Sequence, residues 1–286
     1  MTRCCKLLLL WLFVGIGTSG CARIVSKATD GFADALSAGI LNQDDLETVR
    51  DGAPAYLLLV DGFIAENPDN ESLLLAGADL YSSYAGAFVE DEIRAVRLAT
   101  RAKSYGERAL CLRSEELCVG IARPHSEFVV ALESANTDDL RSLYGFAASW
   151  TTWIRANSSD WNAVAEIPKV ESAMERVVEL DPKFGEGWPQ LYLGALKTLL
   201  PPAFGGKPEQ GRAAFELALK YSNGRNLMVY VMFAESYARL VFDQELHDDL
   251  LRQALSADTT APGLTLINTL AKQRAAELLA QSPDYF

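Results

Sequence analysis

A four-residue stripe recurs along this 286-residue chain, and it limits the fold more than any other feature. Its copies are Leu73, Ala76, Gly77 and Leu80; Leu143, Phe146, Ala147 and Trp150; Trp188, Leu191, Tyr192 and Ala195; and Tyr230, Phe233, Ala234 and Tyr237. The spacing i, i+3, i+4, i+7 puts each set on one face of an α-helix and cannot line one face of a strand. Gly77, Ala147 and Ala234 are small, so a partner helix can approach closely while the large neighbours fill the space on either side. Partner helices are legible too. Met174, Val177 and Val178 precede Leu180-Asp181-Pro182, Phe215, Ala218 and Leu219 precede Lys220-Tyr221-Ser222, and Val60 and Phe63 precede Asn67-Pro68. Two of these stripes end at a proline, which a continuing helix rejects. Almost no run alternates apolar and polar residues, so the predicted fold is all-α.

The stripe is the pattern of a tetratricopeptide repeat, and the expected architecture is a tetratricopeptide-like helical solenoid over residues 46–286 with insertions inside the helix pairs. A standard repeat leaves roughly sixteen residues between the start of one stripe and that of its partner. Here Leu73 to Ala102 is 29, Leu143 to Val170 is 27 and Trp188 to Gly211 is 23. The extra residues include Tyr84 to Phe88, Ala156 to Pro168 with Trp161, and Pro201 to Pro208. Equivalent turns of stacked repeats share an edge, so these aromatic segments are expected to gather on one rim. Leu264 to Leu279 carries Leu264, Ile267, Ala271, Ala275 and Leu278 on one face and reads as a closing helix. The strip beside each motif is expected to line the concave side. It holds Tyr144, Ala148, Thr151, Thr152 and Arg155, then Leu193, Leu196, Lys197 and Leu200, then Val231, Glu235, Ala238 and Arg239. That mixture of apolar and polar groups suits a small-ligand or partner cavity. Tyr144, Thr151, Arg155, Leu193, Lys197 and Glu235 are its candidates, with Trp161 from an insertion. Arg155 is the first candidate for a carboxylate, because its planar fork can hold both oxygens; the competing reading is a helix cap or an ion pair with a neighbouring acid.

The N-terminus reads separately. Arg3 and Lys6 precede an apolar run from Leu7 to Ile16, then Thr18-Ser19-Gly20 and Cys21. This is the form of a secretory signal, and ten apolar residues are too few to span about 30 Å of hydrocarbon. The Ser19-Gly20-Cys21 segment resembles a bacterial lipoprotein signal, with Thr18 where leucine is usual. That resemblance implies removal of residues 1–20, acylation of Cys21 and, with Ala22 next, carriage to the periplasmic face of the outer membrane. A plain secretory cut is the other reading. Residues 21–45 would then be a lipidated tether with a first short helix carrying Phe32, Leu36 and Ile40. Several acyl chains at about 0.8 kcal/mol per buried CH₂ hold firmly where one does not.

The balance of 26 basic against 38 acidic residues leaves a net charge of −12, which removes nucleic acid from the expected partners. Without residues 1–20 it becomes −14. Two histidines, and five cysteines with no pair at the close spacing of a zinc site, leave too few ligands of the usual kinds for a structural zinc. His125 and His247 have no nucleophile pattern beside them, and Asp138-Asp139 and Asp248-Asp249 sit where acids favour helix starts. No catalytic residue, metal or cofactor is expected. Gly205-Gly206-Lys207 lacks the spacing and the Ser or Thr of a phosphate-binding loop, and Pro208 makes it a helix start. Cys111 and Cys118 are either a disulfide or two buried thiols. In one continuous helix they would lie about 10 Å apart, so a bond needs a break near Arg113 to Glu116.

Leu200-Pro201-Pro202-Ala203-Phe204-Gly205-Gly206-Lys207-Pro208-Glu209 leading into Ala214 to Leu219 resembles the hallmark segment of the T-component family of TRAP transporters. Ala147 to Trp150, Trp153-Ile154, Met174 to Pro182 and Asn268 to Leu279 agree with it, so the resemblance covers nearly the whole mature chain. It implies a periplasmic lipoprotein, often trimeric, that docks the solute-binding P-component of a tripartite ATP-independent periplasmic transporter and catalyses no reaction. The solute, if the cavity holds one, would be a small organic acid or an apolar molecule. A tetratricopeptide scaffold lipoprotein of an outer-membrane assembly machine is the alternative; uninterrupted repeats would favour it, and the insertions do not.

Overall fold

The computed structural model describes residues 38–286, and every regular element among them is helical. The residues Met1 to Ser37, with the signal, Cys21, Phe32 and Leu36, lie outside the described residues. The order is α1 (Leu46–Glu66), α2 (Glu71–Phe88), α3 (Glu92–Arg113), α4 (Glu115–Ile121), α5 (His125–Leu132), α6 (Leu140–Ala156), α7 (Trp161–Val164), α8 (Ile167–Leu180), α9 (Trp188–Lys197), α10 (Pro208–Tyr221), α11 (Leu227–Met232), α12 (Gln244–Ser256) and α13 (Thr265–Tyr285). A π-helical stretch, Phe233–Ala238, prolongs α11.

Starts are set by short polar side chains. Asp45, Asn70, Asp91, Ser114, Asp160, Asn226 and Asp243 each accept a backbone N–H of the first turn that the helix itself cannot satisfy. Packing follows the stripes. Leu143, Phe146, Ala147 and Trp150 are buried at the centre with Phe128, Val170 and Met174. Phe233, Ala234 and Tyr237 are buried with Phe215 and Leu251. The α1–α2–α3 layer buries Leu57, Ile64, Leu74 and Ala102. That layer is tied by one carboxylate, since Tyr81 Oη donates to Asp61 Oδ2 (2.7 Å), Tyr105 Oη donates to Asp61 Oδ1 (2.6 Å), and Arg101 pairs with the same group. The small residue of the first stripe is required by contact: a Cβ on Gly77 would lie 2.8 Å from the Tyr105 ring and 2.9 Å from Ile64.

α6 is the hub, packing against α2 and α3 on one side and α8 and α9 on another. α9 pairs with α10, and α11 leads to α12 and α13. The closing helix does more than cover one end. Leu266 packs against the α1–α2 core, and Gly263 N–H donates to Asn42 Oδ1 (2.8 Å), so the last helix meets the first.

The insertions divide. Tyr84 to Phe88 is not a loop but the last part of α2: Tyr84 and Ala85 are buried and extend the helical stripe, so the long spacing of that unit is helix length. The second and third do come together, with the exposed rings of Trp161 and Phe204 6.1 Å apart. Ser114 is extended between α3 and α4, and this break brings Cys111 and Cys118 into a disulfide with Cα atoms 4.6 Å apart.

In the third insertion the chain doubles back tightly. Gly205 has φ +93°, Gly206 N–H donates to Pro201 O (3.1 Å) and Lys207 N–H to Lys197 O (2.8 Å). Lys207 Nζ reaches Glu171 (2.7 Å), which also faces buried Lys197 (3.7 Å), while Lys197 Nζ bonds Glu175 (2.7 Å). A Cβ on Gly206 would fall 1.7 Å from Leu200 O, a backbone atom that cannot swing aside. Gly206→Ala is therefore expected to cost roughly 3 kcal/mol in urea unfolding, the upper end for overpacking. Gly86→Ala, an exposed helical position with nothing within 4 Å, is expected to add about 0.5–1 kcal/mol instead. Equal effects of the two would contradict the close approach.

Candidate functional site

α6, α9 and the π stretch contribute Arg155, Leu199 and Glu235 to one cleft, and an aromatic cluster packed on the central core joins α6 to α9. On α6 the cleft and the cluster are represented by Arg155 and Tyr144, eleven positions and about three turns apart. Tyr144 meets Phe184 edge-on (5.2 Å between centroids) and Tyr192 of α9 (6.1 Å), and Tyr192 in turn tilts against Trp188 (6.3 Å). Burial raises the Tyr144 hydroxyl well above its ordinary pKa of 10, with Tyr192 and Asp79 adding to it. Burial also pushes Tyr192 up to about 12; Asp79 adds and Arg155 opposes. Burial raises the carboxyl of Asp79 on α2, with Arg141 the opposing charge. Asp79, Tyr144, Tyr192 and Arg155 thus belong to one electrostatic neighbourhood.

Next to Arg155 lies a cleft of about 270 Å³ lined by Thr198, Leu199, Glu235, Ser236, Arg239 and Tyr285, among others. Glu235 is neutralised by Arg274 (2.6 Å). Arg155 reaches only the Met232 thioether (3.8 Å), a weak acceptor. Arg239 lies on the Tyr285 ring, 4.4 Å from its centroid.

Of the residues expected from sequence to line a cavity, Arg155 and Glu235 line this cleft, while Tyr144 packs against the central core beside Phe184 and Tyr192. Four others do not line it. Thr151 is fully buried and donates to Ala147 O (2.8 Å); Leu193 is part of the central core; Lys197 is buried in its pair with Glu175 and Glu171; Trp161 stands on the outer rim, 67% exposed. The error in α9 is one of register. One residue turns about 100° round the axis, and the partly accessible face is Trp188, Tyr192 and Leu199, beside the strip expected from the motif. Asp79, Tyr192 and Tyr285 were not anticipated. Tyr192 had been counted as a packing residue of its stripe, and Asp79 is a single acid inside an apolar run.

His247 is buried with Nδ1 on Asp248 (2.9 Å) and its other nitrogen without a partner, and His125 faces the Ser172 hydroxyl (2.9 Å). Among the described residues no group of three or more His, Cys, Asp or Glu is placed to hold a metal ion, and no helix is long and apolar enough to cross a membrane.

Comparison with known proteins gives this geometry its context. The sequence model of the TRAP transporter T-component family matches residues 42–286, nearly all of the described chain. The chain belongs to that family. An uncharacterized protein of Treponema pallidum (strain Nichols) is 25% identical over 262 residues, spanning 85% of this chain and 81% of the relative. The chain is thus an accessory component of a TRAP transporter, from a family of transport components and not of enzymes.

The raised Asp79 carboxyl sets a pH test for this T-component. A carboxyl whose folded pKa lies above its unfolded value opposes folding when ionised, so its cost is absent at low pH and grows as pH rises through that interval. Asp79→Asn is expected to raise the melting temperature near pH 7, with the gain vanishing below the ordinary carboxylate value of 3.8. A pH-independent difference would place the cause elsewhere.

Proposed function

We propose that the T-component is a lipid-anchored, tetratricopeptide-like periplasmic adaptor that docks the solute-binding P-component of its transporter and receives solute in the Tyr144–Tyr192–Arg155 hollow. The family match over residues 42–286 carries the reading. The motif stripes buried in successive helix pairs support a repeat solenoid, since each pair covers the apolar face of the next. Acylation of Cys21 supplies the anchor to the periplasmic face of the outer membrane, and self-association follows from the family resemblance. The solute class is a small organic acid or an apolar molecule, in keeping with a hollow that has aromatic walls and two guanidinium groups.

The docking surface is the rim where Trp161 and Phe204 meet. Both are large, more than three-fifths exposed and mutually supported, and each is held by structure that does not depend on it. Exposed aromatics on rigid supports are the residue type that dominates protein–protein binding energy. Trp161→Ala and Phe204→Ala are expected to weaken capture of the cognate P-component at least tenfold in surface plasmon resonance, with melting temperature unchanged. Full affinity in the double variant would remove the rim from the interface, and absence of any P-component capture by the wild-type chain would overturn the adaptor reading.

A further inference from the structure

The turn that ends the π stretch has a geometry that favours glycine, and it holds Phe242. Phe242 N–H donates to Arg239 O (3.2 Å) and Asp243 N–H to Ala238 O (2.8 Å), the paired bonds that close a helix C-terminus. The residue at the corner of that motif takes a left-handed backbone, and Phe242 has φ +59°. A bulky side chain is strained there and glycine is not. Burial does not offset the strain, because Phe242 is 64% exposed. Its ring rests against those of Phe286 (5.2 Å between centroids) and Tyr285 (6.4 Å), and exposed Val241 and Tyr285 widen the apolar surface. The fold supplies no reason for this ring, and backbone strain kept without such a reason points to function. The surroundings are acidic. Asp243, Glu245 and Asp284 are exposed beside the rings in the sequence, and residues 240–251 and 275–286 contain no Lys or Arg. The cations nearby are engaged: Arg239 lies on the Tyr285 ring with Nε and Nη2 shut off from solvent, and Arg252 pairs with Asp248 and Asp249. A second copy of the chain set symmetrically on this patch would bring like charges together, whereas a face with Lys or Arg around an apolar side chain meets both the rings and the acids. The patch also lies at the end of α13 remote from Gly263, which holds Asn42 near the start of the described chain; 21 helical residues separate those ends by about 30 Å. It is thus turned away from the point where the chain enters the fold, which favours a protein over the bilayer as its occupant.

We propose that Val241, Phe242 and Tyr285, flanked by Asp243, Glu245 and Asp284, form a second docking surface whose occupant is a basic face of the P-component with an apolar side chain at its centre. This rests on the adaptor reading, and it adds a contact apart from the Trp161–Phe204 rim and a charge for the partner's surface. Phe242 is the anchor, held outward by the strained turn, and the acids steer the partner and set its orientation.

The test measures capture of the P-component by the full mature chain in surface plasmon resonance at low and high salt, beside melting temperature and sedimentation velocity. Phe242→Gly is expected to weaken capture at least fivefold while its melting temperature stays at the wild-type value or rises by up to about 4 °C, because glycine relieves the turn. Phe242→Tyr, which keeps a ring, is expected to retain capture. Wild-type capture is expected to weaken as salt rises, and Glu245→Gln with Asp284→Asn to flatten that dependence. Unchanged capture by Phe242→Gly, a fall in its melting temperature that accompanies the loss, or wild-type capture indifferent to salt each overturns the proposal. A changed oligomeric state in Phe242→Gly would assign the patch to a second copy and overturn it equally. Capture lost in the Trp161 and Phe204 variants but intact in Phe242→Gly fails this surface alone, whereas no capture by the wild-type chain fails the adaptor reading and this surface with it.

Discussion

The hollow depends on how closely α2, α3 and α6 approach. Three glycines set that distance. A Cβ on Gly77 would press into Tyr105 and Ile64, one on Gly106 would come 2.3 Å from the Ser149 hydroxyl, and one on Gly145 would come 2.6 Å from Leu75. With these contacts closed, α6 commits Leu143, Phe146, Ala147 and Trp150 to the core and has only its Tyr144–Arg155 face left over. Dispersion contacts at this density tolerate no drift, so the unburied face is aimed as rigidly as the buried one. The same rigidity passes to α9 through the stacked contacts of Tyr144, Phe184, Tyr192 and Trp188. Packing at one end of the helix thus fixes which side chains line the cleft at the other.

Much of this was legible in the sequence. Helical stripes, small residues at close contacts, the break that allows Cys111 to reach Cys118, and the meeting of Trp161 with Phe204 all follow from local spacing and turn chemistry, which one chain carries in full. The misplaced features depend on relations between distant residues. Lys197 reads as a cavity residue on its own helix, but its partners Glu171 and Glu175 come from α8, and only the fold shows that the charge is consumed. Leu193 and Thr151 fail for the related reason that the strip was extrapolated round the helix from the motif, while the actual angle is set by which neighbour packs behind. The α2 extension was misread because spacing alone cannot distinguish a longer helix from a longer loop. The π stretch has no signature in residue type, and without it the orientation of Arg239 is out of reach.

The segment from Leu200 to Glu209, which carries most of the family resemblance, has a mechanical explanation independent of ligand binding. Gly206 sits where any side chain would strike Leu200 O, Gly205 supplies a positive φ, and Lys207 is drawn by its backbone to Lys197 and by its side chain to Glu171. Glu171 is nearly inaccessible, so removal of either lysine would leave a buried carboxylate short of counter-charge, which is far more costly than the pair is stabilising. Together these constraints pin α10 to α9 and present Phe204 outward beside Trp161. A segment that reads as a family label is thus the clamp that builds the rim.

Electrostatics gives the interior a direction. Asp79, with its carboxyl raised, lies on the α2 side; Arg155 and Arg239 lie on the side of the π stretch; Tyr192 feels both Asp79 and Arg155. In a partly desolvated space such charges act at shorter screening than on the surface, so a polar molecule inside experiences a gradient from acid to base across an aromatic wall. The overall negative charge, by contrast, is a long-range field that opposes the approach of any anion from solution and weakens with salt.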